Sequence, residues 1–220
     1  MPSPAWSYSA ITSFEQCPLQ YKLTRVDKVV SGPESDAIVW GKRVHKHLEE
    51  RIRDGKKLPD ILRNLEPVAA SIANAKGEVL VEQQWCLNEN LQPTTWFGKD
   101  AWCRAVIDVG VIGSKSAAIF DWKTGKRKDD LDQLKLFAGI AFTMYPHLEK
   151  VKTGFVWTKD SSIDKEEFTR DQVGEIWAAF LPRVERLKNA FETGKWQAKP
   201  SGLCAKWCPV GKSNCEFCGS

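Results

Sequence analysis

Two short strings hold the residues best suited to chemistry. Arg104-Ala105-Val106-Ile107-Asp108 brings an apolar run to an aspartate, and Ile119-Phe120-Asp121-Trp122-Lys123 brings another to an aspartate and a lysine. Both runs read as strands, and residues two apart on a strand share a face, so Asp121 and Lys123 point the same way. If the strands pair, Asp108 lies beside Asp121. Two carboxylates and an ammonium group at the end of a buried hairpin are costly without partners. A hard divalent cation, Mg²⁺ or Mn²⁺, resolves the carboxylate repulsion because it takes oxygen ligands and keeps several waters. Lys123 then lies near a metal-bound water or a scissile phosphate. These are the parts that phosphodiester hydrolysis needs: a metal to activate water and take up charge, and a cation to stabilise the pentacovalent transition state. The plainer alternative makes Asp108 a turn cap and Asp121 and Lys123 an exposed strand edge. The apolar runs leading into both carboxylates argue against it.

The rest of the chain supplies elements to position these groups. Residues 9–25 read as helix, broken or bent at Pro18. Gly32-Pro33 marks a turn, and a helix follows from Ser35 to Asp54 with Val44, Leu48 and Ile52 on one side. Another follows Pro59, with Leu62, Leu65, Val68 and Ile72 at helical spacing. Glu78 to Leu87 alternates, which puts Val79, Val81, Gln83 and Trp85 on one face and Leu80, Glu82, Gln84 and Cys86 on the other. Residues 101–112 and 117–123 read as a hairpin joined through Gly113-Ser114-Lys115-Ser116. A helix over 129–145 turns Leu131, Leu134, Ala138 and Phe142 inward. A strand at 151–157 and a short one near 167–168 precede a last helix. Thr169-Arg170-Asp171-Gln172 has the spacing of a capping box at its start, and Pro182 marks a kink. The order of elements predicts an α/β protein, a mixed β-sheet flanked by helices, with a helical N-terminal part and a cysteine-rich C-terminal tail.

Composition narrows the classes. The 220 residues suit a single domain, and 42% apolar with 27% charged residues describes a chain that can bury a core. Apolar runs are too short to span a bilayer, and the N-terminus lacks the basic start and apolar stretch of a secretory signal. Seven cysteines without such a signal predict a reducing, cytoplasmic setting over a disulfide framework. A net charge of +4 permits nucleic-acid binding without demanding it. No Gly-x-x-x-x-Gly-Lys-Ser/Thr loop occurs, so no nucleotide cofactor or ATP motor is expected.

Taken in order, the motifs resemble the PD-(D/E)XK nuclease superfamily, and within it the RecB-like exonuclease branch. Ser7-Tyr8-Ser9-Ala10-Ile11-Thr12-Ser13-Phe14-Glu15-Gln16-Cys17-Pro18 is similar to that branch's N-terminal helix signature. Gly41-Lys42-Arg43-Val44-His45, with Leu48-Glu49, is similar to its Gly-x-x-x-His helix. Glu82 stands where an acidic residue often occurs on the first strand, and Ile107-Asp108 resembles the second motif. Asp121-Trp122-Lys123-Thr124-Gly125-Lys126 resembles the Asp-x-Lys motif with its Thr-Gly-Lys tail, and Gln133-Leu134-Lys135-Leu136-Phe137 the Gln-x-x-x-Tyr motif. The resemblance implies a restriction-endonuclease-like fold and one nuclease domain over residues 1–220. In it 35–76 is a helical segment carrying His45, 79–157 the nuclease core and 195–220 the cysteine-rich segment. It makes His45, Asp108, Asp121 and the Trp122 carbonyl metal ligands, with Glu82 a further carboxylate. Lys123 would orient or polarise the attacking water, and Gln133 would position Lys123 or the DNA. Two departures stand out. Ala105 replaces a common glycine, and Phe137 replaces the tyrosine, which loses a hydroxyl and keeps a ring.

The resemblance extends to the cysteines. One N-terminal cysteine and a C-terminal trio hold a [4Fe–4S] cluster in some RecB-like nucleases of the AddB and CRISPR-adaptation types. Here Cys17, Cys204, Cys208 and Cys215 would form the set, with Cys218 an alternative to Cys215; the spacings differ from the usual ones. A zinc site from the four C-terminal cysteines, or free thiols alone, are the other readings. Cys86 and Cys103 fall inside strands and read as core. Lys126, Arg127 and Lys128 beside the Asp-x-Lys string, with Lys42, Arg43 and Lys46 around His45, could neutralise DNA phosphates, and Phe137 could stack on a base. Of the 10 tryptophans, Trp6, Trp40, Trp96, Trp102 and Trp122 are candidates for stacking in a single-strand channel, while Trp177 at helical spacing reads as core. The expected function is metal-dependent exonucleolytic hydrolysis of single-stranded or end-processed DNA, alone or beside recombination proteins in bacterial or phage recombination and repair. The alternatives are a structure-selective or nicking endonuclease on the same fold and a non-catalytic DNA-binding module.

Overall fold

The computed structural model describes residues 4–30, 34–127 and 131–218. In chain order the helices are α1 (Tyr8–Gln16), α2 (Pro18–Tyr21), α3 (Asp36–Asp54), α4 (Glu66–Ala73), α5 (Asp132–Met144) and α6 (Val173–Thr193). The strands are β1 (Glu78–Leu87), β2 (Cys103–Ile112), β3 (Ser116–Lys123), β4 (Lys150–Trp157) and β5 (Ile163–Thr169). These elements gather into two compact units. One spans Ser35–Ala178, and the other joins the N-terminal segment through Glu34 to the chain from Ala179 onward.

The Ser35–Ala178 unit is a five-stranded sheet in the order β1-β2-β3-β4-β5. Neighbours pair antiparallel except β3 and β4, which run parallel with α5 as the crossover between them. Alternation along β4 assigns the two faces. Val156 joins Val44, Leu48 and Ile52 of α3, Leu65, Ala69 and Ile72, and Trp122, while Phe155 and Trp157 pack with Leu134 of α5. Covering on both faces explains the run Phe155-Val156-Trp157 at the end of β4, while Lys150 and Lys152 at its start are exposed. Helix α3 forms where the sequence places it: the Ser35 hydroxyl accepts the Ile38 N–H at 3.4 Å, and Gly55 closes the helix at φ 71°.

Three elements differ from expectation. The helix after Pro59 starts as a 3₁₀ segment (Asp60–Leu65) and becomes α-helical only at Glu66, where Pro67 occupies the first turn, a place proline tolerates. Strand β5 has seven residues, longer than the short strand expected near 167–168, because the charged run Asp164 to Glu167 gives no apolar pattern to read. In β1 the expected alternation fails. Val79 and Val81 share the face toward α3, yet Trp85, expected on that same face, meets Tyr145 at the end of α5, with ring centres 5.9 Å apart. The break falls at Glu82, a non-glycine residue at φ 50°.

In the unit made of the chain ends, Ser7 caps α1, and Cys17 is extended before Pro18, as a residue preceding proline prefers. Glu15 takes a bidentate contact from Arg183 at 2.9 and 2.7 Å. Trp196 packs among Phe14, Tyr21 and Phe191, and Trp6 stacks on Phe180. Trp6 and Trp122 are each 2% exposed, which corrects their reading as stacking surfaces.

Gly154 of β4 tests the sheet packing. A Cβ there would lie 3.0 Å from the Phe120 ring and 3.1 Å from the Asp164 carbonyl. Gly154→Val should therefore cost about 1–3 kcal/mol of stability in urea unfolding; a variant as stable as the parent would contradict the packing.

Candidate active site

The site forms where the β2–β3 ladder stops. Paired residues run from Ile112–Ala117 to Val109–Phe120. Beyond that pair, the Trp122 N–H donates to the Asp108 carboxylate at 2.8 Å, so a side chain replaces the backbone partner. β3 stays paired to β4 as far as Lys123–Trp157, and the Lys123 carbonyl accepts the Thr158 N–H at 3.0 Å. The end of β3 is therefore held on one side while Asp108 is inserted on the other. Asp108 and Asp121 are each only 7% exposed.

Helix α3 brings His45 to this point. Its Nε2 lies 3.0 Å from the Trp122 carbonyl and its Nδ1 3.4 Å from Asp108 Oδ1. Gly41, one turn earlier, permits that approach: a Cβ there would stand 3.2 Å from the Thr124 hydroxyl. Glu82 arrives by a different device. As the residue after Val81 it should face away from α3, but its left-handed backbone turns the carboxylate to the same side. The result is a cluster in which one ligand atom each from His45, Glu82 and Asp108 lies within 4.8 Å of the others. Asp121 stands outside that trio and belongs to a second chain of contacts. Lys123 Nζ is 2.6 Å from Asp121 Oδ2 and donates to Gln133 Oε1 at 2.9 Å, and Gln133 Nε2 donates to Asp121 Oδ1 at 3.1 Å. The Phe155 ring backs the ammonium group at 4.6 Å.

Charge confinement is visible in the proton affinities. Burial, then the Asp108 carboxylate, raises Asp121 to about 6 against the pull of Lys123. Burial and Asp108 likewise raise Glu82. For His45, burial acts downward but is outweighed by the Asp108 hydrogen bond and the surrounding carboxylates, so the imidazole is held above its ordinary value. His45, Glu82, Asp108 and the Trp122 carbonyl thus gather two carboxylates, an imidazole and a backbone oxygen at one point. A hard cation fits this donor set.

The expected DNA contacts separate into groups. Lys42 and Lys46 line the opening over His45 and Glu82 together with Gly41 and Glu49. Arg43 and Lys126 are exposed. Arg127 is occupied: it stacks on Trp157 at 5.5 Å, pairs with Asp164 at 3.6 Å and bonds the Ser162 hydroxyl. Lys128 lies outside the described residues. Phe137 is 3% exposed inside α5, a helix buried nearly all round, so it offers no face to DNA and the stacking expectation is corrected. Period alone cannot reveal this, since the Gln133-to-Phe137 spacing fits a core helix equally well. In the other unit, Cys17, Cys204, Cys208, Cys215 and Cys218 all line one pocket of about 50 Å³. Lys199 N–H donates to Cys17 Sγ and Ser201 N–H to Cys204 Sγ, each at 3.4 Å. Burial and contacts with Cys208 and Cys215 push the Cys218 thiol up to about 12.

This geometry agrees with comparison to known proteins. The sequence model of the PD-(D/E)XK nuclease superfamily matches residues 5–216. The chain belongs to that superfamily, whose nucleases use divalent metals and act on DNA. No curated protein sequence matches it significantly. Among solved structures it is similar to a Eubacterium rectale protein bearing a provisional exonuclease name, at 14% identity and TM-score 0.48 over 90% of this chain and 91% of that one. It is also similar to SSO0001, at 12% identity and TM-score 0.48 over 94% and 83%. Among the described residues no helix is long and apolar enough to cross a membrane.

A sign follows for stability without metal. Asp121 and His45 both bind protons more tightly folded than unfolded, so folding is favoured at low pH and that contribution is lost as pH rises. In chelator, the Asp121 part should disappear between about pH 4 and 6 and the His45 part above its unfolded value of about 6.5. Thermal unfolding should show a fall on the order of 5 °C across this range, reduced in Asp121→Asn. A Tm that rises over the same interval by the same route would contradict the assignment.

Proposed function

We propose that this chain is a divalent-metal-dependent DNA exonuclease of the RecB-like branch, acting as one nuclease domain on single-stranded or end-processed DNA in recombination or repair. The observation that carries the reading is the convergence of His45, Glu82 and Asp108 beside the Asp121–Lys123–Gln133 chain. His45, Glu82, Asp108 and the Trp122 carbonyl would hold Mg²⁺ or Mn²⁺, with Asp121 bridging this set to Lys123. When bound, the ion supplies charge for the phosphate and a more acidic water. Lys123, fixed by Asp121 and Gln133, orients the attacking water and offers positive charge to the phosphoryl oxygens. Gln133 acts through Lys123 as a positioning residue. Lys42 and Lys46 at the opening, with Arg43 and Lys126, neutralise backbone phosphates.

The cysteine pocket supports a [4Fe–4S] cluster on Cys17, Cys204, Cys208 and one of Cys215 or Cys218. Thiols that face one another resist ionisation, and an iron core would supply the missing positive charge. Backbone N–H groups already reach two of the sulfurs. Among the described residues no three of these sulfurs lie within 4.8 Å of one another. Around a single zinc ion, with bonds of about 2.3 Å, they would stand roughly 3.8 Å apart.

Digestion of end-labelled linear and covalently closed circular single strands tests the activity. With Mg²⁺ the linear strand should disappear and the circle remain. Loss of the circle would make the enzyme an endonuclease, and retention of DNA without cleavage would make it a binding module. Lys123→Ala should lower cleavage by at least about a thousandfold while leaving the fold intact; full activity would remove Lys123 from the mechanism. Protein purified without oxygen should be brown and carry about four irons per chain, both lost in Cys204→Ala. A colourless, iron-free preparation would rule out the cluster.

A further inference from the structure

We propose that β2 continues past the metal cluster as a binding lane for the single strand, with Arg104 holding a phosphate and Phe97 stacking on a base. The proposal rests on the nuclease reading above and extends it to a second contact region.

Arg104, Val106 and Asp108 alternate along β2 with buried Ala105 and Ile107, so they share one face. The face is open beyond Asp108: Val106 is 40% exposed, and its partner on β1, Gln84, is exposed as well. Arg104 lies four residues from Asp108, about 13 Å by strand rise, which places it beyond the nucleotide that carries the scissile phosphate. Its guanidinium is laid on the Trp96 ring at 5.4 Å and also meets the thiol of Cys86, its cross-strand neighbour, while among the described residues no carboxylate pairs with it. Its buried Nε has no hydrogen-bond partner there either. A cation held flat and left without a counter-charge is suited to a phosphate.

The loop carrying Trp96 is ordered by its own hydrogen bonds. The Asn88 side chain accepts the Asn90 and Gln92 N–H groups at 3.0 and 2.9 Å, and the Thr94 hydroxyl donates to Asp100 at 2.7 Å. Gly98 closes the turn where any Cβ would meet Asp100 at 2.8 Å. On this fixed loop Phe97 is 87% exposed, so its ring contributes almost nothing to the core. Stacking on a base would bury it, and the loop has already met the ordering cost.

Fluorescence anisotropy of a labelled single-stranded oligonucleotide, with Ca²⁺ replacing the catalytic metal, decides the matter. Phe97→Ala should weaken binding at least about fivefold. Arg104→Gln should reduce the slope of log affinity against log salt by about 0.7, the value of one single-strand phosphate. Both variants should hydrolyse thymidine p-nitrophenyl phosphate, too short to reach Arg104, at the parental rate, and should show raised KM with preserved kcat on the oligonucleotide. Parental affinity and salt slope in both variants would overturn the lane and leave the nuclease reading standing. A parent that neither binds nor cuts DNA would overturn the nuclease reading itself. If Arg104→Gln fails to fold, Phe97→Ala decides alone, because so exposed a ring can be removed without disturbing the core.

Discussion

The structure is organised around negative charge confined where β1, β2 and β3 meet. Asp108 and Asp121 are almost completely buried, Glu82 is turned toward them, and among the described residues no single group pairs with all three. His45 and Lys123 each answer one part, His45 from α3 and Lys123 from the end of β3. Burial and neighbouring carboxylates raise the proton affinities of Asp121 and Glu82, and the carboxylates raise that of His45. Such an arrangement is costly for a merely structural purpose and well suited to a doubly charged ion.

The surrounding elements can be understood as what it takes to maintain that confinement. β4 holds β3 along its full length, so the strand end cannot drift when Asp108 displaces its backbone partner. Gly41 lets α3 approach closely enough for His45 to reach both Asp108 and the Trp122 carbonyl. Glu82 adopts a backbone conformation that costs a non-glycine residue about 1 kcal/mol or more, and the surrounding ladder sustains it. Strain at this position and regular pairing on either side of it place one more acid on the α3 face without shifting the β1–β2 register.

Much of this was legible in the sequence, for reasons that differ by element. The hairpin and α3 could be read because apolar periodicity and capping residues agreed. Asp121 and Lys123 could be placed on a common face because two-residue spacing decides it. The facing of Glu82 could not, since alternation assumes extended backbone and Glu82 leaves it. Phe137 went astray for the opposite reason: a helix buried all round gives no periodic signal to distinguish core from site. The grouping of Asp121 with Lys123 and Gln133, apart from the His45 trio, depends on rotamers that spacing does not encode.

The most direct measurement is anomalous diffraction from crystals soaked in Mn²⁺. An ion should appear among His45, Glu82 and Asp108, about 2.0–2.2 Å from its ligand atoms, with the imidazole released from the Trp122 carbonyl. A saturating soak that leaves this position empty and the His45–Trp122 hydrogen bond in place would contradict the account.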